Sequence, residues 1–143
     1  MNPGAIERCL DLVVEKAGDP SELVYQRLYQ AAPNLKSLFE LDPGGKVRGE
    51  MFQQVIEAIL DLSGESRYAA NQIASEWTNH QGLGVPGEQF RLIFVAVIET
   101  FQDILGSAWS PEFQSSGSEV LAKVDTIIAE AVAVQARGVT HVH

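Results

Sequence analysis

Between Phe90 and Leu105 the apolar side chains are Phe90, Ile93, Phe94, Val97, Phe101, Ile104 and Leu105. They recur every three or four residues, the period of an α-helix and not the alternation of a half-buried strand. The stripe is wide, with Glu99, Gln102 and Asp103 marking the wet side. A helix of this kind is stable only when other elements cover most of its circumference. Gly106 stops it.

The other segments supply candidates for that cover. Ile6, Leu10, Val13, Val14 and Ala17 form a helical stripe ended by Gly18. Asp19-Pro20 restarts the chain, with Asp19 as a cap and Pro20 at the first position, and predicts a helix over Ser21 to Ala32. Pro33 cannot donate to the preceding turn, so a new start follows, and Asn34 to Phe39 reads as a short helical turn. Leu41-Asp42-Pro43-Gly44-Gly45 is a loop on turn chemistry. Met51, Phe52, Val55, Ile56, Ile59 and Leu60 predict a helix over Lys46 to Leu62, broken by Gly64 and Ser66. Tyr68, Ile73, Trp77 and His80 carry the next helix, and the wide stripe is expected to be helical from Phe90 itself. Ser110-Pro111-Glu112 is a strong restart before Val120, Leu121, Val124, Ile127, Ile128 and Ala131. Arg137 to His143 reads as a frayed tail. No strand pattern, repeat or low-complexity tract interrupts this. The expectation is all-α, six to eight helices in one domain over residues 1–136, with a flexible tail over 137–143.

Composition narrows the function classes. The 143 residues are 45% apolar and 20% charged, ordinary for one globular core. The net charge of -9 repels a phosphate backbone, so nucleic acid and anionic membrane are excluded as partners. No apolar run has membrane-spanning length, and the N-terminus has no signal-like block, which predicts cytoplasmic residence. Cys9 is the single cysteine, and its spacing with Ile6, Leu10 and Val13 makes it a small core or half-buried residue. The acidic residues are scattered at helical spacing and read as solvated faces.

His80 is the only histidine outside the last three residues. Ile73, Trp77 and His80 fall at helical spacing, so the imidazole lies on the apolar side of its helix. A neutral imidazole facing an apolar space is a good iron ligand. The plainer reading is a histidine at a helix C-terminus, where a partial positive charge is favourable. Other chemistry lacks partners. A zinc site has too few ligands, and nothing marks a nucleophile elbow for a Ser-His-Asp triad. Gly82-Leu83-Gly84 is neither preceded by a strand nor followed by the further glycine of a dinucleotide loop. His141 and His143 read as exposed.

The run from His80 through Val85, Pro86 and Glu88 to Phe90 resembles the proximal segment of haem globins, nearest to bacterial single-domain globins and the haem domain of flavohaemoglobins. Tyr25, Pro33 and Phe39 resemble a second run of that family, in which the phenylalanine stacks on the haem and the tyrosine faces the bound gas. The resemblance covers roughly residues 5 to 133. It implies the globin fold, a b-type haem held by His80, and reversible binding of O2 or another diatomic gas, as in oxygen transport or sensing. Tyr25 would donate to the gas, while Phe39, Val55, Val85, Phe90 and Ile93 would line the porphyrin. On the distal side Met51 occupies the gas-facing register with Val55 one turn on, and a shift would offer Gln54.

The departures matter as much. Flavohaemoglobins carry a tyrosine at the position of Phe90, in a network that makes the axial histidine more anionic, which Phe90 cannot do. A tryptophan common early in the last helix is replaced around Ser116-Gly117. No flavin or nicotinamide segment follows in these residues, which goes against a self-sufficient NO dioxygenase. The reading is therefore a gas-binding haem protein more than an enzyme. A haem-free globin-fold sensor or scaffold stays open, as does a peroxidase or dioxygenase fed by a separate reductase. A homodimer is equally open.

Overall fold

The computed structural model describes residues 4–141, with side-chain surroundings through residue 137. Within them lie six α-helices: α1 (Ala5–Ala17), α2 (Ser21–Ala31), α3 (Lys46–Ser63), α4 (Ala69–Gly82), α5 (Leu92–Leu105) and α6 (Pro111–His141). Short 3-10 helices cover Pro33–Phe39, Gly87–Gln89 and Gly106–Ala108. No strand occurs among the described residues. The fold is the expected all-α globin fold. No helix among the described residues is long and apolar enough to cross a membrane.

The helix boundaries have local causes. Gly18, at φ 71°, ends α1 and donates its N–H to the Val14 carbonyl. α2 starts at Ser21 with Pro20 as its cap position, one residue later than expected, and Asp19 Oδ1 still accepts the Ser21 N–H at 2.9 Å. Ser110 Oγ accepts the Phe113 N–H at 3.1 Å at the start of α6. The wide stripe begins helically at Leu92 and not at Phe90. The residues before it, Gly87–Gln89, form a 3-10 turn that follows the extended Pro86. At the other end α6 runs without a break to His141. The side chains of His141 and His143 lie outside the described residues.

Two aspartates that read as solvated from their spacing are caps instead. Asp42 accepts the backbone N–H groups of Val47 and Arg48, each at 3.1 Å, and the Arg48 side chain at 3.2 Å. Asp61 accepts the N–H groups of Arg67, Tyr68 and Ala69 at 3.0, 3.1 and 2.8 Å, which fixes the start of α4. Its partial desolvation opposes ionisation. The three N–H donors outweigh that, and they hold the carboxyl below the usual carboxylate range.

α5 is the covered helix. It packs against α2 and α1, while α6 packs across α4, α1 and α3. Val97, Phe101 and Leu105 from α5 meet Ile6, Cys9 and Val13 from α1, Val24 from α2, Ile59 from α3, and Val120 and Val124 from α6 in one core. Cys9 is fully buried, and burial pushes its thiol up to about 12, so the thiolate is suppressed. Gly117 lets α6 approach α5 closely: a Cβ there would stand 3.1 Å from Ile98 Cγ2 and 3.8 Å from the Trp109 ring. The small pair Ser116-Gly117 thus makes room for a tryptophan supplied from just before the helix.

Asp61→Ala should destabilise the protein by about 0.5–2 kcal/mol near neutral pH, the range for loss of a helix cap. The folded-state carboxyl is lowered from its ordinary value, so its stabilisation is complete above the ordinary carboxylate range. It is lost as pH falls through the lowered folded value. Urea denaturation of both proteins from about pH 6 down to about pH 2 should show the difference shrinking with acid.

Candidate functional site

A cavity of about 360 Å³ opens between α3, α4, the start of α5 and the 3-10 helix Pro33–Phe39. That volume falls within the ~300–1,000 Å³ of small-molecule and cofactor sites. The lining is mostly apolar. Leu28 comes from α2, and Leu35, Leu38 and Phe39 from the 3-10 helix. Met51, Gln54, Val55 and Ala58 come from α3, and Ile93 and Phe94 from α5. Val85 and Phe90 come from the connection after α4.

α4 brings His80 to the cavity wall as part of a stripe with Gln72, Ile73 and Glu76. His80 Nδ1 lies 2.7 Å from the Glu76 carbonyl oxygen. A carbonyl only accepts, so Nδ1 carries a proton, and in the neutral ring Nε2 keeps its lone pair. The backbone is pinned as well. The His80 carbonyl accepts the N–H of Val85 at 2.9 Å and that of Leu83 at 3.0 Å. Gly84, at φ 93°, makes this reversal, a conformation other residues adopt only under strain. The same turn therefore ends α4, fixes His80 and delivers Val85 to the cavity. Phe90 meets the imidazole edge-on with ring centroids 5.2 Å apart, and Phe94 follows at 6.2 Å from Phe90.

Of the residues singled out from the sequence, His80, Phe39, Met51, Val55, Val85, Phe90 and Ile93 come together on this cavity, and Gln54 joins them. Tyr25 stands apart. It is 4% exposed and lies behind Phe39, with ring centroids 5.7 Å apart, and it is not part of the lining. Its hydroxyl donates to the Arg48 carbonyl at 2.7 Å. Burial first, and Tyr29 beside it, push the phenol up, so it remains a protonated donor.

Sequence reasoning missed the polar residues of the α4 wall. Gln72 Oε1 is buried with no hydrogen-bond partner, and Glu76 adds a carboxylate to the same wall. The fourfold spacing of Gln72, Glu76 and His80 was a readable signal for a shared face. Asn34 and Gln89 were missed too. Their amides exchange two hydrogen bonds, at 2.8 and 3.0 Å, and join the 3-10 helices Pro33–Phe39 and Gly87–Gln89 beside the cavity. No group of three or more His, Cys, Asp or Glu side chains placed to hold a metal ion occurs among the described residues. An apolar cavity with aromatic walls and one tautomer-fixed imidazole fits an iron porphyrin.

Comparison with known proteins points the same way at low identity. No family model matches the chain. A flavohemoprotein of Rhizobium meliloti (strain 1021) is 25% identical over 108 residues, 73% of this chain and 26% of that protein. An anaerobic nitrite reductase of Oryza sativa subsp. indica is 24% identical over 110 residues, 74% of this chain and 76% of that protein. The chain spans about a quarter of the length of the flavohemoprotein. Together these likenesses support a globin-type haem protein at the level of the family.

Tyr25→Phe keeps the ring and deletes the hydroxyl that serves the Arg48 carbonyl. The loss should cost about 0.5–1.5 kcal/mol, the net worth of a neutral hydrogen bond. Chemical denaturation should show this as a lower midpoint with an unchanged slope.

Proposed function

We propose that the chain is a haem b globin that reversibly binds O2 or another diatomic gas, with His80 as the axial ligand. The observation that carries this is the imidazole on the wall of an apolar cavity, its Nδ1 committed to the Glu76 carbonyl and its Nε2 left to ligate. A haem held there by His80 would supply the iron that binds the gas. Cys9, the single thiol, is in the core and off the cavity wall, which favours a haem held without covalent attachment. Phe39, Val55, Val85, Phe90 and Ile93 exclude water from the porphyrin. Met51 and Gln54 stand on the α3 wall of the same cavity, with Met51 the internal candidate for a second iron ligand and Gln54 a donor already on the lining.

The rest of the assignment follows the same reading. Residues 1–136 form the globin domain and 137–143 its tail, and the protein works in the cytoplasm, away from membranes and nucleic acid. The likeness to a flavohemoprotein favours a second role, in which the same site works as a haem enzyme with a separate reductase.

Purified protein mixed with haemin should develop a Soret band, and His80→Ala should not do so unless imidazole is added. A wild type that stays colourless with haemin would defeat the haem reading and favour a haem-free scaffold. Retention of the wild-type spectrum by His80→Ala would move the axial ligand elsewhere.

Tyr25 serves the Arg48 carbonyl from behind Phe39, so as gas donor its phenol would have to give that bond up. The new bond lies between a neutral one and one to a charged acceptor, about 1.5–3 kcal/mol at the upper end. The Arg48 bond given up, worth about 0.5–1.5 kcal/mol, is subtracted from that gain, and each 1.4 kcal/mol is tenfold, so Tyr25→Phe should release O2 up to roughly tenfold faster. Carbon monoxide, the less polar ligand, should change far less. Stopped-flow dissociation of both gases measures this, and equal O2 rates would leave Gln54 as the donor.

A further inference from the structure

Where the cavity opens, its wall changes character. Leu35, Ile73 and Phe94 are buried inside it, but Leu38, Leu41, Val47 and Leu83 are 44%, 99%, 56% and 70% exposed. Single exposed leucines are ordinary on a protein surface, whereas four that converge on one opening mark a place where something is covered. Three of the four lie on one stretch, from the end of the 3-10 helix Pro33–Phe39 to the first turn of α3.

That stretch is tied together at Asp42. Its backbone N–H donates to the Phe39 carbonyl at 3.0 Å, and its own carbonyl accepts the Gly45 N–H at 3.0 Å and Arg48 Nη2 at 2.8 Å. Its Oδ1 accepts the Val47 N–H, and its Oδ2 accepts both the Arg48 N–H and Arg48 Nε. The Arg48 side chain crosses the turn at Gly45, where φ is 75° and a Cβ would stand 3.4 Å from the guanidinium. The Arg48 carbonyl takes the Tyr25 hydroxyl, which anchors the unit to α2. A helix cap has to serve only the backbone N–H groups of α3. The two guanidinium bonds run back to the loop instead, and a cap does not require them.

We propose that Asp42 and Arg48 form a latch on the strap of residues 38–47, and that this latch governs how fast the cavity exchanges its occupant. The inference rests on the haem reading for the identity of that occupant. With the latch closed, Leu38, Leu41 and Val47 are carried as one body, so an occupant that reaches the opening is covered by all three together. With the latch broken each moves alone, and the occupant escapes past the loosest. The Asp42 and Arg48 side chains are 11% and 30% exposed, so water can compete for the pair, which suits a contact that opens and closes locally.

The test uses wild type, Asp42→Asn, Arg48→Met, the double variant and Asp61→Asn, each loaded with haemin. Asparagine offers one acceptor oxygen where the carboxylate offers two, so the bonds at Oδ2 are lost. Asp61 caps α4 in the same manner and is off the cavity wall, so its variant reports a lost cap alone. Transfer of haemin to excess apomyoglobin should be roughly three- to tenfold faster from Asp42→Asn and from Arg48→Met, between the scales of an exposed ion pair and a charged hydrogen bond. The double variant should be no faster than the faster single one, because both substitutions break one unit. Asp61→Asn should match wild type. Equal rates for wild type and the latch variants would overturn the proposal, as would additive effects in the double variant or an equal acceleration in Asp61→Asn. Haemin-free protein gives a second readout, the release rate of the apolar dye anilinonaphthalene sulfonate, which should rank the five proteins in the same order. A wild type that binds the dye and rejects haemin would defeat the haem reading and leave the latch standing. A wild type that binds neither would overturn the latch as well.

Discussion

A helix that is apolar around most of its girth dictates where everything else must go. α5 is that helix, and its burial changes character along its length. Val97, Phe101 and Leu105 sit in the closed core shared by α1, α2, α3 and α6. Ile93 and Phe94, one turn earlier, line the cavity instead. The cavity is thus a continuation of the core, at the end of α5 where α3 and α4 form walls rather than filling. Its apolar character follows from this continuity. The ion pairs that join helices, Arg27 with Asp103 and Arg91 with Asp125, lie towards solvent and refine the packing. Exposed pairs of this kind contribute little stability, so the hydrophobic stripe carries the arrangement.

Rigidity at His80 is built from short-range contacts. Its ring is held from below by the carbonyl one turn back, and its own carbonyl is held by the turn that follows. Both contacts are backbone-based, so they are set once α4 forms and ends. An imidazole pre-oriented in this way would lose little freedom on taking up a metal. Phe90 then limits the tilt of the ring from its edge.

Most of the fold was legible because each helix is bounded by residues with strong local preferences. Gly18, Pro33, Gly106 and the Ser110-Pro111-Glu112 run all mark real ends or starts. The cavity wall was legible where apolar spacing and family resemblance agreed, as at His80, Val85, Phe90 and Ile93. What was not legible depends on contacts between residues that local spacing does not relate. Asp42 and Asp61 look like ordinary surface acids until the loop geometry turns backbone N–H groups onto them. Tyr25 has its expected place in the chain, yet its acceptor is a carbonyl 23 residues away. Glu76 was passed over because acids at helical spacing are usually solvated, and only the position of His80 distinguishes this one.

The two described sulfur atoms have opposite surroundings. Cys9 is sealed in the core, whereas Met51 is on the cavity wall. Oxidants that reach the cavity therefore meet a thioether before any thiol. The product would be a sulfoxide, polar where the wall is apolar, and reversible only by a dedicated reductase. Damage of this kind would alter ligand binding from inside while leaving the core, and so the fold, intact. Met51 would then record the oxidative history of the site in a chain whose cysteine cannot.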